Sequence, residues 1–144
     1  MVSYNTENVA MPKFSRREVT AWVKQVTASY GKQVGEVAYI FVDDERILEV
    51  NRQYLQHDYY TDIITFDYCE GDTISGDLFI SLDTVASNAA ELGVQRDDEL
   101  MRVVIHGILH LCGIDDKGPG EREIMEEAEN RALALFRARA CVHI

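Results

Sequence analysis

The stretch Arg96-Asp-Asp-Glu-Leu-Met-Arg-Val-Val-Ile-His106-Gly-Ile-Leu-His110-Leu-Cys-Gly113-Ile-Asp-Asp116 decides the fold. Its apolar positions, Leu100, Met101, Val103, Val104, Ile105, Ile108 and Leu111, nearly encircle a helix running from about Arg96 to Leu111. A helix apolar on almost every side belongs in the middle of a core, so the other elements are expected to pack around it. Gly113 can adopt the left-handed conformation that ends a helix and turns the chain back.

The flanking segments supply that packing. Ser15-Arg-Arg-Glu18 has the form of a capping box, and Val19, Trp22, Val23 and Val26 follow at helical spacing until Gly31. Val37-Ala-Tyr-Ile-Phe-Val42 is β-branched and aromatic and reads as a buried strand. Asp43 or Asp44 then caps a helix expected to carry Ile47, Leu48, Asn51, Tyr54 and Leu55 on one face. Thr61–Phe66 and Gly76–Leu82 read as two strands joined by the turn-rich Glu70-Gly-Asp-Thr segment, which suits antiparallel pairing. Asp83 is the expected cap of the next helix, with Val85, Ala86, Ala89 and Leu92 as its stripe and Gly93 as its stop. A last helix from Glu121 to about Arg139 is expected to face inward through Ile124, Met125, Ala128, Ala132, Leu135 and Phe136. Interleaving without strict alternation predicts an α+β fold, a small mixed sheet packed against several helices, as one domain over residues 1–144.

Composition narrows the function. Fourteen Lys plus Arg against twenty-five Asp plus Glu give a net charge of -11, which opposes general attraction to a polyanion. The excess is concentrated: residues 1–50 carry six basic and seven acidic side chains, 51–100 two and eleven, and 101–144 six and seven. The segment holding the two histidines is therefore nearly balanced, and a bound cation there could present a positive cleft to a phosphate. The three cysteines, Cys69, Cys112 and Cys141, contain no Cys-x-x-Cys and suggest neither a disulfide framework nor a thiolate metal site. The N-terminal residues lack a basic region followed by an apolar run, no membrane span is apparent, and the expected location is the cytoplasm.

His106 and His110, four apart, lie one helical turn apart on the same face, the spacing at which two imidazoles reach one divalent ion. For such a pair alone, a hydrogen-bonded core histidine pair is the plainer reading. The glycine turn and Asp116 beyond it shift the balance toward a three-ligand site, because the run has the metzincin-like order of two helical His, a glycine turn and a third donor. Zincin proteases place Glu directly after the first His as general base, and Gly107 stands there, so peptide hydrolysis of that type loses its base. The acids Asp62, Asp67, Asp72, Asp77 and Asp83 have the spacing of strand ends and turns, and Arg16, Arg17, Arg131, Arg137 and Arg139 that of solvated helix faces. Cys112 would face away from His110 and reads as structural.

His106-Gly-x-Leu-His-Leu-x-Gly113 closely resembles the signature of the YbeY family of bacterial ribosomal-RNA maturation proteins. Asn51-Arg52 followed by Asp58, Thr61-Asp62 and Phe66 is similar to a second block of that family, and Gly76-Asp77-Leu-Phe-Ile-Ser81 to a third, in consistent order from about residue 36 to 136. The resemblance implies a metal-dependent endoribonuclease acting on single-stranded RNA in ribosomal RNA maturation and ribosome quality control. It implies one divalent ion, zinc by the family's usual assignment, held by His106, His110 and Asp116, with ribosomal proteins or assembly factors as partners. Asp116 stands where the family usually has a third His, which lowers the charge of the loaded site by one and favours harder cations somewhat. Leu55 stands where the family often has a basic residue proposed to contact RNA, leaving Arg52 as the candidate phosphate contact. The alternative is a non-catalytic assembly factor, stabilised by the metal and bound to a basic ribosomal protein.

Overall fold

The chain runs β1 (Val2–Thr6), α1 (Arg16–Ser29), β2 (Gln33–Val42), α2 (Asp44–Leu55), β3 (Ile63–Asp67), β4 (Thr73–Ser81), α3 (Leu82–Leu92), α4 (Arg96–Leu111), α5 (Glu121–Cys141). The computed structural model describes residues 1–55, 61–115 and 118–141. The strands form a four-stranded mixed sheet in the order β1-β2-β4-β3, with β1, β2 and β4 parallel and β3 antiparallel to β4. This is the expected α+β arrangement, including the antiparallel pair. Among the described residues no helix is long and apolar enough to cross a membrane.

Strand alternation divides the helices between two faces. Val37, Tyr39 and Phe41 of β2 and Leu78 and Ile80 of β4 point into the main core with α1, α4 and α5. Val42 of β2 and Ile64 of β3 point the other way, into a smaller cluster with Ile47 and Val50 of α2. Strand β1 is an addition to the sequence-based expectation. It has little apolar content, but pairs with β2 from Val2↔Val37 to Thr6↔Phe41, and Tyr4 stacks on Tyr39 with ring centroids 5.6 Å apart.

Several helix details differ from the expected pattern. Helix α1 agrees: Ser15 Oγ accepts from the Glu18 N–H at 3.2 Å, and the Trp22 indole N–H donates to the Ala132 carbonyl at 2.7 Å, fastening α1 to α5. In α2, Asp43 is the cap, accepting from the Arg46 N–H at 2.8 Å, but Tyr54 and Leu55 are exposed while Val50 is buried. Ser81, not Asp83, caps α3, because β4 passes directly into the helix and its last residue takes the capping position. Asp83 instead accepts from the Asp44 N–H at 2.9 Å, joining the starts of α2 and α3. Ala86 and Leu92 are exposed, so only Val85 and Ala89 of the expected α3 stripe are buried. The inner stripe of α5 is Met125, Ala128, Glu129, Ala132 and Leu133, whereas Ile124 and Leu135 face outward.

Helix α4 is the centre, as its apolar circumference predicts, with ten of its residues buried. Two glycines permit its close approach. A Cβ on Gly107 would stand 2.9 Å from Ile63 and 3.1 Å from Leu78, so α4 lies almost directly on β3 and β4 at that point. A Cβ on Gly76 would stand 2.5 Å from the Phe66 carbonyl oxygen and 3.3 Å from Leu111.

Because the obstacle at Gly76 is backbone, Gly76→Ala is expected to destabilise the fold by about 2 kcal/mol through overpacking, seen as a lower urea midpoint. Burial pushes the Cys112 thiol up to about 11. Its thiolate at pH 8 is therefore on the order of 100-fold scarcer than in an exposed cysteine. Cys112 should resist alkylation at pH 8 until the chain is unfolded. Since the unfolded thiol loses its proton first, stability from this group should decline as pH rises from about 9 through 11, measurable as a falling midpoint over that window.

Candidate active site

The packing that buries α4 leaves His106 and His110 only partly covered. Four residues of helix separate them by about 6 Å along the axis. Past His110 the helix ends on Gly113, at φ 104, with the Gly113 N–H on the His110 carbonyl at 3.0 Å and the Ile114 N–H on the Leu109 carbonyl at 3.1 Å. The glycine turn is thus formed as its position predicts. Asp116, the expected third ligand, lies outside the described residues, as do His57 and Asp58.

His106 is held by an acid from another helix. Its Nδ1 is 2.7 Å from Oε2 of Glu129, a residue only 8% exposed on the inner stripe of α5. The other carboxylate oxygen accepts from Arg102 Nη1 at 2.9 Å, and Arg102 Nη2 reaches Asn130 Oδ1 at 3.1 Å. With a carboxylate on Nδ1, the favoured neutral tautomer carries its proton there and makes Nε2 the acceptor nitrogen of the ring. That is the ligating form of histidine. Arg102 offsets the negative charge that Glu129 brings into a half-dry setting.

Further acids lie around this chain of bonds. Asp62, at the entrance to β3, accepts from the Asn88 side-chain amide at 3.4 Å; burial raises its pKa, opposed by the nearby His106. Glu99, one turn before Arg102, is raised by burial, opposed by Arg102 and reinforced by Asp62 and Glu129. Asp67, at the other end of β3, is lowered chiefly by its hydrogen bonds with Cys69, with a contribution from His110. The two ends of β3 therefore place one acid in the neighbourhood of each histidine. Arg52 is exposed in the last turn of α2, the helix on the opposite face of the sheet from α4.

The donor set suits a divalent cation in part. His106 and His110 are two nitrogen ligands, one of them already oriented by a carboxylate, and Asp116 follows in sequence. Among the described residues, no group of three or more His, Cys, Asp or Glu side chains is placed to hold a metal ion. Gly107, where a protease would carry its base, points at Ile63 and Leu78, so that position faces the sheet and has no room for a side chain.

Glu129, Arg102 and Glu99 were not anticipated as site residues. A signal for them exists: Glu99, Arg102 and His106 share one helical face, and Glu129 stands in the apolar Met125-Ala128-Ala132 stripe, where an acid needs a partner.

A sequence profile of the family described as Endoribonuclease YbeY matches residues 2–137. A protein of that name from Bacteroides thetaiotaomicron is 73% identical over 134 residues, covering 93% of this chain and 98% of its own. Another, from Phocaeicola vulgatus, is 73% identical over 136 residues, covering 94% and 99%. One from Porphyromonas gingivalis is 54% identical over 136 residues, covering 94% and 90%. The solution structure of TM1509 from Thermotoga maritima superposes with a TM-score of 0.67 at 27% identity, over 96% of this chain and 93% of that one.

Proposed function

The chain belongs to the YbeY endoribonuclease family, and on that premise we propose that it cuts single-stranded RNA, with a divalent metal ion, in ribosomal RNA maturation and ribosome quality control. The observation that carries the metal part is the 2.7 Å contact from His106 Nδ1 to Glu129, which prepares Nε2 as a ligand on the face shared with His110. His106, His110 and Asp116 would hold the ion. Two imidazoles and a carboxylate suit zinc while tolerating a harder cation. When bound, the ion supplies Lewis acidity toward water and a phosphate oxygen.

The chain's own residues do the positioning. Glu129 retains the Nδ1 proton of His106 and fixes the ring plane, and Arg102 holds Glu129 in turn. The Gly113 turn takes the chain out of the helix just after His110. Arg52 is the candidate phosphate contact, and from its place on α2, across the sheet from α4, it would meet a phosphate other than the one at the histidines. The acidic surface favours delivery of the substrate by a basic partner such as a ribosomal protein over capture of free RNA. The expected setting is the cytoplasm.

The decisive experiment measures bound metal and cleavage of single-stranded ribosomal RNA together. Native protein is expected to carry one divalent ion and to cleave. Metal stripping should abolish cleavage until metal is restored, and His110→Ala should lower it by at least ~100-fold. Cleavage that survives both treatments overturns the metal-hydrolase reading; metal that stabilises the fold without any turnover supports the assembly-factor alternative instead.

Metal affinity tests the ligand assignment separately. Glu129→Gln should weaken binding by about 10- to 100-fold, measured by chelator competition, because the carboxylate that sets the His106 tautomer is gone. Glu127→Gln, an exposed change on the same helix, should leave affinity unchanged. An Asp116→Asn variant that binds as tightly as the parent would show that another group is the third ligand.

A further inference from the structure

A cleft of about 680 Å³ opens between α4 and α5, and His106 forms part of its wall, so it adjoins the candidate metal centre. Val103, Met125 and Leu133, all buried residues, line its apolar side. Its floor holds Glu99, which is 5% exposed and whose Oε1 is shielded from solvent without a hydrogen-bond partner among the described residues. A buried acceptor in that state is unfavourable until a donor reaches it.

Charge selects the occupant. Asp62, Glu99 and Glu129 stand in the lining against Arg102, whose guanidinium is already bonded to Glu129 and Asn130. At the exposed mouth, Arg122 and Arg137 balance Asp98 and Glu126. The interior therefore disfavours a phosphate and favours a flat, uncharged group with N–H donors on one edge and apolar faces.

We propose that this cleft is a nucleobase pocket that takes guanine. Guanine presents N1–H and N2–H side by side, the pair of donors that a carboxylate accepts with both oxygens. Adenine and cytosine set a ring-nitrogen acceptor beside their amino group, and uracil flanks its N–H with carbonyls, so each leaves Glu99 facing an acceptor. Val103, Met125 and Leu133 would cover the faces of the ring, as apolar walls do around an extruded base. The inference rests on the endoribonuclease reading, since the base would belong to a nucleotide next to the phosphate held at the histidines.

Binding tests it without cleavage. Short 2′-O-methyl uridine oligonucleotides carrying one central guanosine, inosine or adenosine are titrated with the native protein and read by fluorescence anisotropy. Guanosine should bind about tenfold tighter than adenosine, with inosine, which lacks the N2 amino group, between them. Glu99→Gln should reduce the guanosine affinity to the adenosine level and leave adenosine unchanged. Equal native affinities for the three oligonucleotides overturn the proposal, as does an undiminished guanosine preference in a folded Glu99→Gln; if that variant does not fold, the native comparison decides. Guanosine preference without cleavage of any RNA keeps the pocket and removes the ribonuclease reading, whereas cleavage without preference does the reverse.

Discussion

Enclosure of α4 is the constraint from which the other features follow. The helix lies on β3 and β4 closely enough that position 107 holds only glycine comfortably, and α1, α3 and α5 close around its remaining sides. An enclosed helix must still dispose of its polar residues. Glu99, Arg102 and His106 cannot all reach bulk water, so they find partners on α5 or remain directed into the cleft beside it. The same packing that makes the core thus confines the ionisable groups to one seam.

That seam holds His106 in place within a chain of net charge -11. A carboxylate beside His106 fixes the orientation of its ring, and Arg102 offsets the charge that the acid brings. Glu129 is worth more there than on the surface, because few competing waters reach a group so far buried. Removing Arg102 would therefore disturb His106 although the two do not exchange a proton.

The parts legible in the sequence are those governed by periodicity and by short-range chemistry. The circumferential apolar pattern of α4, the Ser15 cap, the Gly93 stop and the β-branched and aromatic run of β2 are local properties of a few residues, and each appears where expected. What escaped depends on partners distant in the chain. Strand β1 is a strand because β2 offers it an edge, Asp83 lost the cap because β4 runs straight into α3, and Glu129 faces inward because Arg102 and His106 await it across 27 and 23 residues. Ile124 and Leu135 fit an inward helical face by sequence, yet the narrow contact of a long helix with its neighbours leaves them outside.

The seam also bears on how one fold separates catalysis from recognition. His106 bonds Glu129 and forms part of the cleft wall, so the proposed metal ligand and the proposed base pocket would share one residue. A phosphate would find the acidic cleft floor repulsive, whereas a base that offers N–H donors would not. Opposite electrostatic demands at adjacent positions would orient a nucleotide without requiring strong affinity for the backbone. An acidic protein can afford that arrangement, because discrimination then comes from geometry within the seam and not from the charge of the whole.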